Sequence, residues 1–375
     1  MSLRYTGAWL QDGAFNPLVA PTPSYTYGLW GWGYNGQGQL GIGNKTRYSS
    51  PKQVGSLTNW LSISSGYQHT VAIKSDGTLW SWGGNGYGQL GLNNTTAYSS
   101  PKQVGSLTTW LTVSSGGYNT AAIKTDGTLW SWGLNTSGEL GLSNTTNYSS
   151  PKQVGSLTNW KYISTKYTCA LALKTDGTLW AWGSNSFGNL GLGNTTYYSS
   201  PKQVGALTTW AIVSNCAYFT LAIKNNGTLW SWGRGTYQQL GLGNNYNYSS
   251  PKQVGALTNW YYPRGNQNSS FCIKTDGTLW SWGQNGQGQL GLGNTTNYSS
   301  PVQVGALTNW KVIDTNGSMA ITTKTDGTLW TWGVNNQGQL GLGNTTYYSS
   351  PKQVGILTTW NAISAAPVSS FALQL

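Results

Sequence analysis

The sequence predicts an all-β fold, a seven-bladed β-propeller of four-stranded antiparallel blades. Three observations predict it: a period of 50 residues, a tryptophan pair in every copy, and turn signals between short alternating segments. The pairs are Trp30/Trp32, Trp80/Trp82, Trp130/Trp132, Trp180/Trp182, Trp230/Trp232, Trp280/Trp282 and Trp330/Trp332. A third tryptophan recurs as Trp60, Trp110, Trp160, Trp210, Trp260, Trp310 and Trp360. Placement in every copy indicates packing between blades and not a single binding site.

Each copy contains four candidate strands. Gly28–Gly33 is the first, because alternation puts Trp30 and Trp32 on one face. A glycine-rich loop leads to a second strand at SSPKQVG, a third at LSIS after Trp60, and a fourth at HTVAIK. Asp-Gly then predicts a two-residue hairpin turn into the next copy. These turns carry Asp76, Asp126, Asp176, Asp276 and Asp326, with Asn226 in the fifth position.

The ends of the chain predict how the ring closes. A linear array would need capping units, and none is visible, whereas a closed ring hides the sheet edges. The first copy begins at Gly28–Gly33, and residues 371–375 form the strand that precedes such a copy. We therefore expect the last blade to lack one strand, which Gly28–Gly33 supplies by pairing with the C-terminal strand.

Composition narrows the function classes. Charged residues make up 7% of the chain, against about 25% in ordinary domains, and aromatic residues make up 13%. The net charge is +12, and most of it comes from two lysines per copy, the sets that begin at Lys52 and Lys74. One charge per blade predicts a spread, solvated framework ring. The alternative is a basic surface for acidic partners, and a nucleic-acid groove is disfavoured.

Few residues could support chemistry. Cys169, Cys216 and Cys272 occupy different repeat positions and match no metal or disulfide spacing, so they are predicted to be free, buried thiols. His69 is the only histidine, and five of the eight carboxylates are turn formers. A glycine-rich segment at residues 38–46 fails as a phosphate loop, since Asn44 interrupts it. We predict no enzyme, cofactor, metal site or membrane span.

Residues 1–26 are predicted to be an extended arm outside the propeller domain of residues 27–375. Pro17, Pro21 and Pro23 disfavour a helix. The arm also carries apolar residues that need cover, namely Trp9, Leu10, Phe15 and Leu18. It either folds back along the propeller or anchors the chain to another protein of the same assembly.

The repeat resembles a known family. The pattern W-G-x-N-x-x-G-Q-L-G-x-G, at residues 32–43 and 282–293 and followed by Pro-x-x-Val, is similar to the regulator of chromosome condensation repeat, as in bacterial and phage members. The resemblance covers residues 27–375 and implies a seven-bladed propeller. Its members include an exchange factor for a small GTPase that also binds chromatin, ubiquitin-ligase modules and a plant photoreceptor. The photoreceptor's Trp and Arg are missing at residues 66–70, which disfavours light sensing. Gly235, Gln238, Glu139 and Asn189 depart from the pattern.

Comparison of the seven copies separates a constant frame from one variable segment. The six residues around the start of the fourth strand differ in every copy and are rich in Tyr, Asn, Gln, Ser and Gly, which suits adaptable recognition loops. Neutral drift is the other interpretation. The residues predicted to bind are Tyr67, Gln68, His69, Tyr118, Asn119, Tyr167, Tyr218, Phe219, Asn266 and Gln267. A weaker set follows the tryptophan pair and comprises Tyr34, Gln37, Tyr87, Phe187, Arg234, Tyr237 and Gln287.

These observations favour a non-enzymatic binding or structural propeller. The leading hypothesis is a virion-associated or bacterial-surface protein, held by its arm and presenting the loop face to a glycan or protein receptor. The alternative is a cytoplasmic protein-interaction propeller that acts on a small GTPase or chromatin. Salt-dependent binding to DNA or nucleosomes would favour the alternative.

Overall fold

The structure, a computed structural model, describes residues 27–375 as seven four-stranded antiparallel sheets. The predicted fold class and number of blades are confirmed. Trp9, Leu10, Phe15 and Leu18 lie outside the described residues. No helix in the described part of the chain is long and apolar enough to cross a membrane.

The strands follow one another in chain order. The first two are β1 (Gly28–Gly33) and β2 (Tyr48–Gln53). Blade 1 consists of β3 (Trp60–Ser65), β4 (His69–Lys74), β5 (Leu79–Gly83) and β6 (Tyr98–Gln103). Blade 2 consists of β7 (Trp110–Ser115), β8 (Asn119–Lys124), β9 (Leu129–Gly133) and β10 (Tyr148–Gln153). Blade 3 consists of β11 (Trp160–Lys166), β12 (Cys169–Lys174), β13 (Leu179–Gly183) and β14 (Tyr198–Gln203). Blades 4 and 5 are β15 (Trp210–Asn215), β16 (Phe219–Lys224), β17 (Leu229–Gly233), β18 (Tyr248–Gln253); and β19 (Trp260–Gly265), β20 (Ser269–Lys274), β21 (Leu279–Gly283), β22 (Tyr298–Gln303). Blade 6 is β23 (Trp310–Asn316), β24 (Met319–Lys324), β25 (Leu329–Gly333), β26 (Tyr348–Gln353), and the chain ends with β27 (Trp360–Ala365) and β28 (Ser369–Gln374).

Ring closure follows the predicted pairing and goes one strand further. β1 pairs antiparallel with β28 from Gly28 opposite Gln374 to Gly33 opposite Ser369. Blade 7 therefore has the order β2, β1, β28, β27, with two strands from each end of the chain. The N-terminal part of the propeller supplies two strands to blade 7 and not the single strand that was predicted, because β2 follows β1 into the same sheet.

The recurring tryptophans join neighbouring blades. The indole N–H of Trp82 donates to the carbonyl of Gln39 in the preceding loop, at 2.8 Å. The equivalent bond is present at the other six junctions, at 2.9–3.0 Å. Gly41 has a φ of +74°, and a Cβ there would lie 2.5 Å from Trp82 Nε1, so the loop needs glycine at this position. Packing and a buried hydrogen bond thus act together at each junction.

The Asp-Gly turns are longer than predicted. Lys74 N–H donates to Thr78 O at 3.0 Å, and Gly77 N–H donates to Lys74 O at 2.9 Å. The loop therefore has three residues, with Gly77 in the left-handed region at φ +77°, as in a turn that ends in a bulge. Asp76 Oδ1 accepts from the Thr78 hydroxyl, and Thr78 Oγ1 accepts from Trp80 Nε1 at 2.8 Å. The aspartate therefore orients a tryptophan through the threonine.

The two lysine sets differ in environment. Lys74 is buried, and its Nζ lies 3.7 Å from the ring centroid of Trp80. The prediction of a solvated ring is therefore wrong for this set, since cation–π contact holds these ammonium groups against indole rings. Lys52 is exposed and its Nζ lies 5.4 Å from the Tyr48 ring centroid. The exposed set lies on the outer strands of six blades, one lysine on each, and blade 5 has Val302 at this position.

Candidate functional site: the loop face

One end of the propeller carries all of the variable segments. The loop between the first and second strands of each blade meets the loop between the third and fourth strands, because His69 pairs with Gly83 in β4 and β5. The two loops are joined by hydrogen bonds such as Gly84 N–H to Gln68 O at 2.6 Å and Arg234 N–H to Tyr218 O at 2.9 Å. We call this end the loop face.

Eight side chains from four blades form one aromatic patch on the loop face. We define the aromatic patch as Tyr67, Tyr87, Tyr118, Tyr167, Phe187, Tyr218, Arg234 and Tyr237. The Tyr67 ring packs edge to face on Tyr118 and Tyr167, with centroid distances of 5.5 Å and 4.7 Å. These contacts link residues that lie about 50 and 100 positions apart in sequence. The aromatic patch is therefore continuous across blades 1 to 4.

Arg234 extends the aromatic patch and supplies its charge. Its guanidinium carbon lies 5.1 Å from the ring centroid of Phe187, 5.6 Å from that of Tyr218 and 4.7 Å from that of Tyr237. Arg234 Nε donates to Thr236 Oγ1 at 2.9 Å, which orients the group. A guanidinium held on aromatic faces keeps further N–H donors for a carboxylate or carbonyl of a partner.

The backbone beneath the aromatic patch is fixed by bonds between blades. Tyr67 N–H donates to Gly117 O at 3.1 Å, and Gly117 N–H donates to Tyr167 O at 3.1 Å. Tyr167 itself has a φ of +53°, which is unusual for a residue with a side chain. Its Oη is buried without a hydrogen-bond partner, and burial, together with the neighbouring Tyr218, raises the pKa of this phenol well above its usual range. These inter-blade bonds fix the backbone of the loops.

The predicted binding residues divide into an accessible set and a buried set. The partly exposed residues are Tyr67, Gln68, Tyr118, Tyr167, Tyr218 and Gln267. The buried residues are His69, Asn119, Phe219 and Asn266, all at most 1% exposed. The first three begin second strands, and Asn266 Oδ1 accepts from the N–H groups of Asn268 and Ser269, which shapes its loop. These four side chains hold the loops and do not form the accessible surface.

His69 shows what the buried set does. Its Nε2 lies 3.1 Å from Thr120 Oγ1 of the next blade, and Nδ1 has no hydrogen-bond partner. Burial lowers the pKa of this imidazole to about 4, so the ring is neutral near pH 7. A neutral, enclosed imidazole packs between two blades.

The aromatic patch contains four residues from the weaker sequence set, Tyr87, Phe187, Arg234 and Tyr237. Tyr87 is 43% exposed and packs on Tyr118, at a centroid distance of 5.2 Å. Tyr34, Gln37 and Gln287 also lie in loop-face segments but belong to blades outside the aromatic patch. The sequence did carry a signal for the aromatic patch, because aromatic residues occur in consecutive copies of both loops.

A narrow polar channel opens at the centre of the propeller. Its cavity of about 50 Å³ is lined by residues from the innermost strand of all seven blades. Lys166 reaches across it and donates to Thr315 O at 2.8 Å. Arg264 Nε lies 3.9 Å from Asp314 Oδ1, and Asp314 Oδ2 accepts from Ala365 N–H at 2.7 Å. These charged groups of the channel are thus engaged in contacts between blades and stabilise the propeller.

The remaining candidates for chemistry are also structural. Cys169, Cys216 and Cys272 are buried and free, as predicted, and burial raises the pKa of each thiol to about 12. Thiols in that state are poor nucleophiles near pH 7. Within residues 27–375, no group of three or more His, Cys, Asp or Glu side chains is placed to hold a metal ion.

The seven blades match one repeat family along almost their whole length. Residues 28–73, 76–123, 126–173, 176–223, 226–261, 276–316 and 326–373 match the Regulator of chromosome condensation (RCC1) repeat. The chain belongs to the RCC1 repeat family. A second RCC1 repeat description matches residues 60–89, 111–139 and 160–189.

Three solved structures share the fold. Prp20p from Saccharomyces cerevisiae superposes with a TM-score of 0.85 at 18% identity, covering 94% of this chain and 92% of that chain. Yeast RCC1 (Prp20) bound to Kap60 gives a TM-score of 0.83 at 17% identity, covering 94% and 89%. Human WBSCR16 gives 0.82 at 20% identity, covering 93% and 98%. At these identities the likeness is one of architecture, and these yeast and human structures give no support to a virion or bacterial origin.

Proposed function

We propose that this RCC1-repeat propeller is a non-enzymatic protein-interaction module that binds its partner through the aromatic patch. The observation that carries the proposal is the continuity of the aromatic patch across four blades. Tyrosine and arginine are the residue types that dominate binding energy in protein interfaces. Their loops are already ordered, so little conformational entropy is lost on binding.

The comparisons favour a protein partner over the virion or surface hypothesis. The structure of Prp20p is described with its binding to Gsp1p and histones, and yeast RCC1 is seen bound to Kap60. We propose by analogy that this chain acts on a small GTPase or on chromatin protein. Direct binding to nucleic acid is disfavoured, because the exposed lysines stand singly on the outer strands of six blades and do not form a continuous basic surface.

The proposal is tested with the full chain and purified partners. Wild type and the variants Tyr67→Ser and Arg234→Ala are titrated with a small GTPase, histone octamers, nucleosomes, naked DNA and a glycan panel at two salt concentrations. We expect saturable binding to one protein partner, weakened at least about tenfold by each variant. Gln287→Ala, an exposed position on blade 5, is the matched control and should leave the affinity unchanged.

Other outcomes would reject the proposal. Equal affinity of Tyr67→Ser, Arg234→Ala and Gln287→Ala for the partner would place the interface elsewhere. Binding to glycans alone would restore the receptor hypothesis, and binding to naked DNA alone would show that the lysines act together.

The arm of residues 1–26 stays a separate proposal. Its apolar residues Trp9, Leu10, Phe15 and Leu18 support an anchoring role, since such side chains need cover. Deletion of residues 1–26 should abolish assembly with an anchoring protein while binding at the loop face persists. Unchanged assembly after deletion would contradict anchoring.

A further inference from the structure

A cavity of about 410 Å³ opens between blades 3 and 4, and it shares no residue with the aromatic patch. Its size suits a small organic molecule. Blade 3 contributes Leu192, Val204 and Leu207, and blade 4 contributes Trp210, Trp230 and Pro251. Leu207 is 46% exposed and Trp230 is partly exposed, so part of the apolar wall is accessible from solvent, while Val204 and Trp210 are buried behind it.

The only charged side chain that lines this cavity is Lys224. Its Nζ lies 3.6 Å from the Trp230 ring centroid and 5.1 Å from that of Trp210. Within residues 27–375, this ammonium makes no hydrogen bond or ion pair with the protein. The cavity therefore combines two indole rings with a cation that lies against them and makes no hydrogen bond to the described chain.

Blade 4 differs from its neighbours at a charged position near this cation. In five other blades an aspartate follows the lysine by two positions, and its charge attracts the ammonium, as Asp76 does for Lys74 and Asp276 for Lys274. After Lys224 the same position is Asn226, which is uncharged. Asn226 keeps the turn, because its Oδ1 accepts from the Thr228 hydroxyl at 2.7 Å. The substitution thus removes a charge and preserves the geometry.

Exposure follows the same difference. Lys224 is partly exposed, whereas Lys74, Lys124, Lys174, Lys274 and Lys324 are buried. The equivalent cavity between blades 4 and 5, of about 380 Å³, is lined by Trp260 and Trp280 but not by Lys274. Of these two cavities, only the first presents an ammonium.

We propose that the cavity between blades 3 and 4 binds a small organic acid, a carboxylate attached to an aromatic or branched apolar body. The apolar body packs against Trp210, Trp230 and Leu207, where ring contacts add to apolar burial. The carboxylate accepts charge-assisted hydrogen bonds from Lys224, which are stronger than bonds between neutral groups. This site is independent of the protein-binding function proposed for the loop face.

The test uses 3-phenylpropionate as the probe and 3-phenylpropionamide as its uncharged counterpart. Isothermal titration calorimetry on the full chain measures affinity, and saturation-transfer NMR shows which part of the probe contacts protein. We expect saturable binding of the acid and binding of the amide that is at least about tenfold weaker.

Four variants locate the site. Lys224→Met should weaken binding of the acid at least about tenfold, and Lys274→Met should leave it unchanged. Asn226→Asp restores the residue present in five other blades, so the fold should persist while affinity falls several-fold through the added negative charge. Trp230→Leu removes the ring contact and should also weaken binding.

Three results would overturn the proposal. They are the absence of saturable binding, equal affinity for the acid and the amide, and equal effects of Lys224→Met and Lys274→Met. Retention of full affinity by Asn226→Asp would show that the uncharged Asn226 is not what makes this cavity distinct.

Discussion

The indole N–H of Trp32 donates to the backbone carbonyl of Gln339 at 2.9 Å, across 307 residues of sequence. The bond closes the ring with the same contact that joins every other pair of blades. Gln339 O also accepts from the Ser370 hydroxyl at 2.8 Å, so the closing junction has two side-chain donors. The point where the two ends of the propeller meet is thus built like the internal junctions.

A blade junction whose carbonyl accepts from one side-chain donor should be more sensitive to loss of the tryptophan N–H than a junction whose carbonyl accepts from two. Gln39 O accepts from the Trp82 indole and from the Thr70 hydroxyl. Within residues 27–375, the Trp182 indole is the one side-chain donor to Glu139 O, because Ala170 stands where Thr70 stands in blade 1. We expect Trp182→Phe to lower the free energy of unfolding by about 2 kcal/mol and Trp82→Phe by about 1 kcal/mol, because only the first leaves a carbonyl without a side-chain donor. Urea unfolding followed by circular dichroism measures both. Equal losses would contradict this account.

Glu139 should reduce stability at high pH. It is buried where Gln39, Gln89, Gln239, Gln289 and Gln339 lie in other blades, and burial raises the pKa of its carboxyl to about 7. Its Oε2 accepts from Ser137 N–H at 2.7 Å, which a glutamine oxygen could also do. A raised folded pKa means that stability falls as pH rises from about 4.5 to 7.

Glu139→Gln should therefore raise the free energy of unfolding by about 2 kcal/mol at pH 8 and change it little at pH 4.5. Urea titrations at both pH values test this. Gln89→Glu is the reciprocal control, and it should introduce the same pH dependence at the next loop. A pH-independent effect of Glu139→Gln would show that ionisation is not involved.

His69 should produce the opposite pH dependence. The folded pKa of about 4 lies below the ordinary value of 6.5, so the unfolded chain binds an additional proton between these values. Stability is full above pH 6.5 and declines as pH falls toward 4. His69→Asn introduces the residue that blade 2 has at the equivalent position, Asn119. Between pH 7 and pH 4.5, the free energy of unfolding of this variant should fall by about 2 kcal/mol less than that of the wild type. Parallel pH profiles of the two proteins would refute this prediction.

The buried lysines should stabilise the propeller more than the exposed ones. Lys74 Nζ lies 3.7 Å from the Trp80 ring centroid, and Gln374 occupies the equivalent position in blade 7. Lys74→Gln should lower the free energy of unfolding by about 1 kcal/mol through the lost cation–π contact. Lys52→Gln, at an exposed site, should change it by less than about 0.5 kcal/mol. Thermal unfolding at matched pH ranks the two variants.

The propeller frame was predictable because every blade repeats the same local sequence pattern. Trp80 and Trp82 alternate along a strand, Gly77 permits the turn before it, and the copy at Gly28–Gly33 needs a partner that the C-terminal strand supplies. Each of these features depends on neighbours in sequence or on one repeated contact. The length of the turn and the second borrowed strand were missed, because both depend on how a strand extends within a finished sheet.

The variable loops could be located from the sequence, but which of their residues are exposed could not be predicted. Tyr67 and His69 lie two residues apart, yet Tyr67 reaches the loop face and His69 is enclosed against Thr120 of the next blade. Residue type does not distinguish them, because both are polar aromatic side chains in a variable segment. Their exposure depends on which side of a loop faces the neighbouring blade.

By itself, the sequence determined the seven blades, the strands within them and the end-to-end closure, because periodic apolar residues and glycine turns act locally and recur. Only the tertiary structure decided that Tyr67, Tyr118, Tyr167 and Tyr218 form one aromatic patch, and that Lys224 lines a cavity while Lys274 does not. The physical reason is that the packing of blades around the ring brings residues about 50 or 100 positions apart into contact, and the resulting burial then sets the exposure and charge state of each side chain.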